Sequence, residues 1–114
     1  MTAPSLSYET SGARCAVVAL RGEWDSASVD QLVAAVSRAM DEGRTCIVVD
    51  LIEVTFVDST FLRELLNLDK MAVGEYGLAL VLPDHGPVRR LFTLTALDQR
   101  FRILPSREEA LAAM

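Results

Sequence analysis

The sequence predicts an α/β fold, a mixed and mostly parallel β-sheet flanked by about four α-helices in the order β-β-α-β-α-β-α-β-α. Three observations predict it. Short apolar runs of strand character alternate with apolar stripes at three- and four-residue steps, the mark of strand-helix-strand units. The run Thr45-Cys-Ile-Val-Val-Asp-Leu51 is β-branched and almost continuously apolar, as expected of a central strand covered on both faces. Turn signals recur at short intervals, and no repeat, low-complexity tract or linker divides the 114 residues, so residues 1–114 read as one domain.

The elements follow in order. Leu6 and Tyr8 alternate with polar neighbours before Ser11-Gly12, and Arg14-Cys-Ala-Val-Val-Ala-Leu20 comes next, which predicts a short strand turning back into a longer one. After Gly22-Glu-Trp-Asp25, the residues Val29, Leu32, Val33, Val36 and Met40 share one face of a helix that ends near Gly43. Residues 59–73 carry a wide apolar stripe of Phe61, Leu62, Leu65, Leu66, Leu68, Ala72 and Val73, so that helix packs hard on the sheet. Gly77–Leu82 reads as the next strand and Pro87–Leu94 as a helix with proline in its first turn. Phe101–Leu104 reads as an edge strand, and Ser106 with Glu109 forms a capping box on a last helix.

Composition narrows the function. With 51% hydrophobic and 24% charged residues the chain has a real core, and its net charge of -5 argues against binding nucleic acid through phosphates. The acidic excess lies in residues 1–57, which hold eight acids and four bases, so a basic protein partner suits the first half. Cys15 and Cys46 sit inside apolar runs and read as separate buried hydrophobes, not as a disulfide or a metal site. No charged-then-apolar leader and no apolar stretch of roughly 18 residues is present, so we expect a reduced, cytoplasmic protein without membrane insertion.

Catalytic constellations are thin. The single histidine, His85, lies in the turn Pro83-Asp-His-Gly-Pro87 with no nucleophile near it in sequence, and the phosphate-cradle and nucleophile-elbow motifs are missing. We expect no enzyme, no cofactor and no metal. One polar triplet interrupts the most apolar text: Asp58-Ser59-Thr60, between a buried strand and the start of the wide-striped helix. Its plain reading is helix capping, which contributes about 1 kcal/mol. Its functional reading is a directed, exposed hydroxyl in a field that favours a phosphate dianion.

At this point the whole chain resembles a STAS domain of the anti-sigma factor antagonist type. Arg21-Gly-Glu-Trp-Asp25 is similar to the family's Gly-Glu-Leu-Asp turn, Asp50-Leu-Ile-Glu-Val-Thr-Phe-Val-Asp-Ser59 to its strand-to-helix signature, and Leu91-Phe-Thr-Leu-Thr-Ala-Leu-Asp98 to its late helix and turn. The match runs collinearly over about residues 6–112. The resemblance implies a switch: the unphosphorylated protein binds an anti-sigma factor with serine kinase activity, phosphorylation at Ser59, with Thr60 as the alternative acceptor, releases it, and a serine phosphatase resets it. It also implies a partner-binding face of Glu23, Trp24, Asp25, Asp58, Ser59, Thr60 and Phe61. The oligomeric state is left as monomer or dimer.

Three positions depart from the family pattern. Phe61 and Ala96 stand where the family usually has glycine, and Trp24 stands where leucine is commoner. Phe61 adds bulk at the helix start and so implies an altered docking surface. Trp24 is either core or an interface anchor, while Asp25 and Asp50 either cap local backbone or meet a partner's arginines. Arg89-Arg90 read as a solvated helix face. Two rival readings remain: a receiver-like domain with Asp50 as phosphoacceptor, which would need neighbouring carboxylates for a metal, and a STAS scaffold or accessory subunit in which Ser59 only caps.

Overall fold

The computed structural model describes residues 2–72 and 77–114. Five strands form one sheet whose spatial order equals their chain order: β1 (Ser5–Ser11), β2 (Cys15–Trp24), β3 (Cys46–Val57), β4 (Gly77–Val81) and β5 (Arg102–Leu104). The first pair is antiparallel and the other three are parallel. Helices α1 (Val29–Asp41), α2 (Ser59–Met71) and α3 (Pro87–Leu94) make the three crossovers, and α4 (Arg107–Ala113) follows β5. Each crossover advances one strand in the same direction, so the right-handed rule places all three helices on one face. The expected class and element order are thus observed. Val73, assigned from sequence to the second helix, lies outside the described residues.

Alternation along β2 and β3 divides the core in two. Val18, Leu20, Ile47, Val49 and Leu51 face α1, α2 and α3 in the main cluster, with Leu32, Leu65, Phe92 and Trp24. Val17, Cys46 and Val48 face the other way, where α4 supplies Ala110 and Leu111. Among the described residues, no other helix packs in that second cluster.

Two elements are longer than the sequence pattern predicts. The connection expected after Leu51 is strand, because Arg21–Trp24 and Glu53–Val57 pair with each other beyond a first register shift, where Ala19 faces Asp50 and Arg21 faces Glu53, and across a second, where Gly22 faces Val54 and Glu23 faces Phe56. Each shift adds one residue to β3 and breaks the two-residue alternation, so Leu51, Val54 and Val57 are buried three apart and mimic a non-strand pattern. The Asp50 carboxylate settles the first bulge by accepting the Ile52 N–H at 3.0 Å.

The cysteine reading is also corrected. Cys15 and Cys46 are direct register partners, with Cα atoms 4.3 Å apart, and they form a disulfide. Their separation of 31 residues in sequence concealed the contact, because a parallel register aligns the first residues of two strands joined by a long crossover.

Candidate functional site

The site is built where β2 and β3 end. Trp24 is the register partner of Val57, so the residues that follow them, Asp25 and Asp58, leave the sheet side by side. From there one chain enters α1 through Ser26–Ser28 and the other enters α2 at once. Asp58 is the N-cap of α2: its Oδ1 accepts the Phe61 N–H at 2.9 Å, and its Oδ2 accepts the Ser26 N–H at 3.2 Å. One carboxylate therefore terminates a helix and ties the two loops together.

The neighbouring loop is held by its own polar residues. Ser28, 3% exposed, accepts the Asp25 N–H at 3.0 Å through its hydroxyl, and Asp25 Oδ1 accepts the Ala27 N–H at 2.9 Å. Before this loop, the Glu23 N–H donates to the Thr2 carbonyl at 3.1 Å, and the Thr2 N–H donates to the Glu23 carboxylate at 3.0 Å. Gly22 permits that approach, since its φ is +84° and a Cβ there would lie 2.9 Å from the Thr2 carbonyl oxygen.

Ser59 is the first residue of α2 and is exposed, while Thr60 is half-buried. Asp58 uses only the Phe61 amide of the first turn, which leaves donors and the positive helix end beside the Ser59 hydroxyl. Two clefts border this end of the sheet. One, of about 410 Å³, runs along Thr2, Ala3, Glu23, Asp25, Ser28 and Gln31. The other, of about 190 Å³, lies between Phe56 and Val57 of β3 and Pro87, Val88 and Leu91 of α3. Phe56, beside this second cleft, is 49% exposed.

The sequence-predicted residues divide into two groups. Glu23, Asp25, Asp58, Ser59 and Thr60 reach or border the surface together. Trp24 and Phe61 are 0% exposed and pack on each other, so they support this surface from below. Asp50 is remote in role: Arg107 grips its Oδ2 through Nε at 3.2 Å and Nη2 at 3.0 Å, and the side chain is 15% exposed. Its carboxylate serves the fold's own arginine, and among the described residues no group of three or more His, Cys, Asp and Glu side chains gathers around it. Ser26, Ser28, Thr2 and Phe56 were missed from sequence. The Asp25-Ser-Ala-Ser28 run carries the turn signal that pointed to the two serines, whereas nothing local marked Thr2 or Phe56.

The family model described as "Mlab, STAS domain" matches residues 8–105. The chain belongs to the STAS domain family. BtrV of Bordetella bronchiseptica, proposed by its name to be an anti-sigma factor antagonist, is 33% identical over 98 residues, covering 85% of this chain and 84% of that protein. The crystal structure of an anti-sigma factor antagonist from Mycobacterium paratuberculosis superimposes with a TM-score of 0.86 at 28% identity, covering 97% of this STAS chain and 93% of the other. The Bacillus cell fate determinant SpoIIAA in its phosphorylated form shares the fold, with a TM-score of 0.69 at 24% identity over 96% of this chain and 98% of that one. Among the described residues no helix is long and apolar enough to cross a membrane.

Proposed function

We propose that this chain, as a single STAS domain, is an anti-sigma factor antagonist that works by partner switching. Its role is regulatory and non-catalytic. In the unphosphorylated state it binds an anti-sigma factor with serine kinase activity through Glu23, Asp25, Asp58, Ser59 and Thr60, with Trp24 and Phe61 as the floor beneath them. Phosphorylation of Ser59 releases the partner, and a serine phosphatase restores the binding form.

The observation that carries the reading is the placement of Ser59: exposed, first in α2, and beside a capping Asp58 that leaves first-turn donors free. A phosphate there adds roughly -1.5 to -2 charges where the helix end favours an anion by up to about 1 kcal/mol, so the free protein tolerates it. In a complex, the same dianion beside Asp58 is buried against a surface shaped for a neutral hydroxyl. Such an uncompensated charge costs several kcal/mol, and about 1.4 kcal/mol already weakens binding tenfold.

The test starts from a pull-down out of the native cytosol, with phosphosite mapping of the recovered chain. Binding of the recovered partner is then measured by calorimetry for the unmodified chain, the phosphorylated chain, Ser59→Ala and Ser59→Asp. Ser59→Ala binds constitutively, phosphoserine weakens binding at least tenfold, and Ser59→Asp falls between them because it carries one charge. Equal affinity of the phosphorylated and unmodified forms refutes the switch and leaves the scaffold reading. Phosphate mapped to Thr60 alone moves the acceptor by one residue.

A further inference from the structure

The disulfide stands apart from the Ser59 face. Cys46 is the first residue of β3 and Val57 the last, so the bond and the proposed switch occupy opposite ends of one strand. The bond also lies on the sheet face that, among the described elements, α4 alone covers. Cys46 is 1% exposed among Val17, Val48, Ala79, Val81 and Ala110, while Cys15 is half-buried at the rim of that cluster. Leu111 and Met114 pack against the same group.

A seven-residue helix has little stability of its own and depends on its seat. That seat is narrow. Ala110 is the buried residue of α4, Ser106 caps it, and Arg107 anchors its first turn by gripping Asp50 and reaching Glu9 at 3.3 Å. Arg102 holds the other end, donating to the Ala113 carbonyl at 3.2 Å. Elements seated by so few contacts open locally at less cost than global unfolding.

We propose that Cys15–Cys46 is a thiol-disulfide exchange site, entered at Cys15 by a small thiol or a dithiol protein and gated by α4. An incoming thiolate bonds to Cys15 Sγ, the Cys15–Cys46 bond breaks, and the electron pair leaves on Cys46 Sγ, which takes a proton. A second thiolate attacks the reagent's sulfur in the mixed disulfide, releases Cys15 as a thiolate and departs as the reagent's own disulfide. Two electrons reach the protein, and a small-molecule disulfide reverses the sequence. The gate follows from the environment of the leaving group. A thiolate is disfavoured in the apolar layer around Cys46, so the first step runs when α4 lifts and water enters.

The full chain is exposed to dithiothreitol, quenched with acid at intervals, alkylated with N-ethylmaleimide and weighed intact. In native buffer the bond is reduced far more slowly than in urea. Arg107→Ala, with unchanged circular dichroism, speeds native reduction about fivefold, as expected when a partly exposed arginine clamp is lost. Met114→Ala, which removes a contact to Arg102 and leaves the Arg107 clamp untouched, does the same, and Arg107→Lys falls between. Equal rates in buffer and urea, or native rates unmoved by both alanine variants, overturn the gate. Two alkylatable thiols persisting after incubation with oxidised glutathione overturn the site itself. No outcome depends on partner binding, so this inference and the switch at Ser59 fail independently.

Discussion

The ring of Phe61 lies 6.2 Å from that of Trp24, tilted by 58°, and neither side chain is exposed. Trp24 closes β2 and donates its indole N–H to the Arg21 carbonyl at 2.8 Å, while Phe61 sits in the first turn of α2. The pair fastens a strand end to the helix that begins at Ser59. Bulk at position 61 thus enters the core instead of altering the docking surface, and the polar residues above stand on an aromatic floor.

Phe61→Ala is accordingly a stability mutation. Removing a fully buried phenylalanine costs about 3–5 kcal/mol. Urea unfolding of the variant reads this directly, and a loss under about 1 kcal/mol, well short of that range, contradicts the packing role.

Asp58→Ala removes a helix cap and the tie to Ser26 together. The expected loss is about 1–2 kcal/mol; Asp58→Asn keeps the cap through its amide oxygen but loses the tie, because its NH2 group cannot accept the Ser26 N–H. Faster hydrogen exchange at the Ser26 amide separates loss of the tie from loss of the cap. An alanine variant as stable as wild type refutes both.

Ala96 has a φ of 59°, a left-handed conformation that suits glycine, at the position where a family-type glycine was expected. Ala96→Gly relieves a conformational cost of about 1 kcal/mol. The thermal midpoint rises by several degrees for a domain of this size. A lower midpoint would show that chain entropy outweighs the relieved strain.

Asp69 lies in the last turn of α2, and burial raises its pKa although Arg100 opposes the shift. The folded chain binds this proton more tightly than the unfolded chain. Below the unfolded carboxylate pKa both states are protonated and no penalty exists; as pH rises through the raised folded value, stability is lost. Asp69→Asn therefore stabilises the protein at neutral pH, aided by about 0.3–1 kcal/mol from removing a negative charge at a helix C-terminus. The gain shrinks as pH falls below the carboxylate range. Denaturation series at neutral and acid pH check the sign, and a gain that grows on acidification contradicts it.

Much of this architecture was legible because its signals are local. The stripe on α1, the proline that opens α3 and the Ser106–Glu109 box each lie within a few residues, and each element formed as expected. What escaped depends on register. The bulge after Asp50 hid the far half of β3, parallel pairing hid the cysteine contact, and Arg107 reaches Asp50 across 57 residues of sequence. At the site, Ser59 and its acidic neighbours were readable as a strand-to-helix signature. The burial of Phe61 was not, because the residue it meets, Trp24, belongs to another strand.

Because the strands lie in space in the order of the chain, synthesis and assembly can proceed in the same direction. Each strand leaving the ribosome meets the edge of a sheet already begun, and none must wait for a later one to be inserted beside it. After β5 comes α4, whose Arg107 bonds to Glu9 of β1 across 98 residues. That contact between the first strand and the helix after the fifth forms only once all five strands have been made.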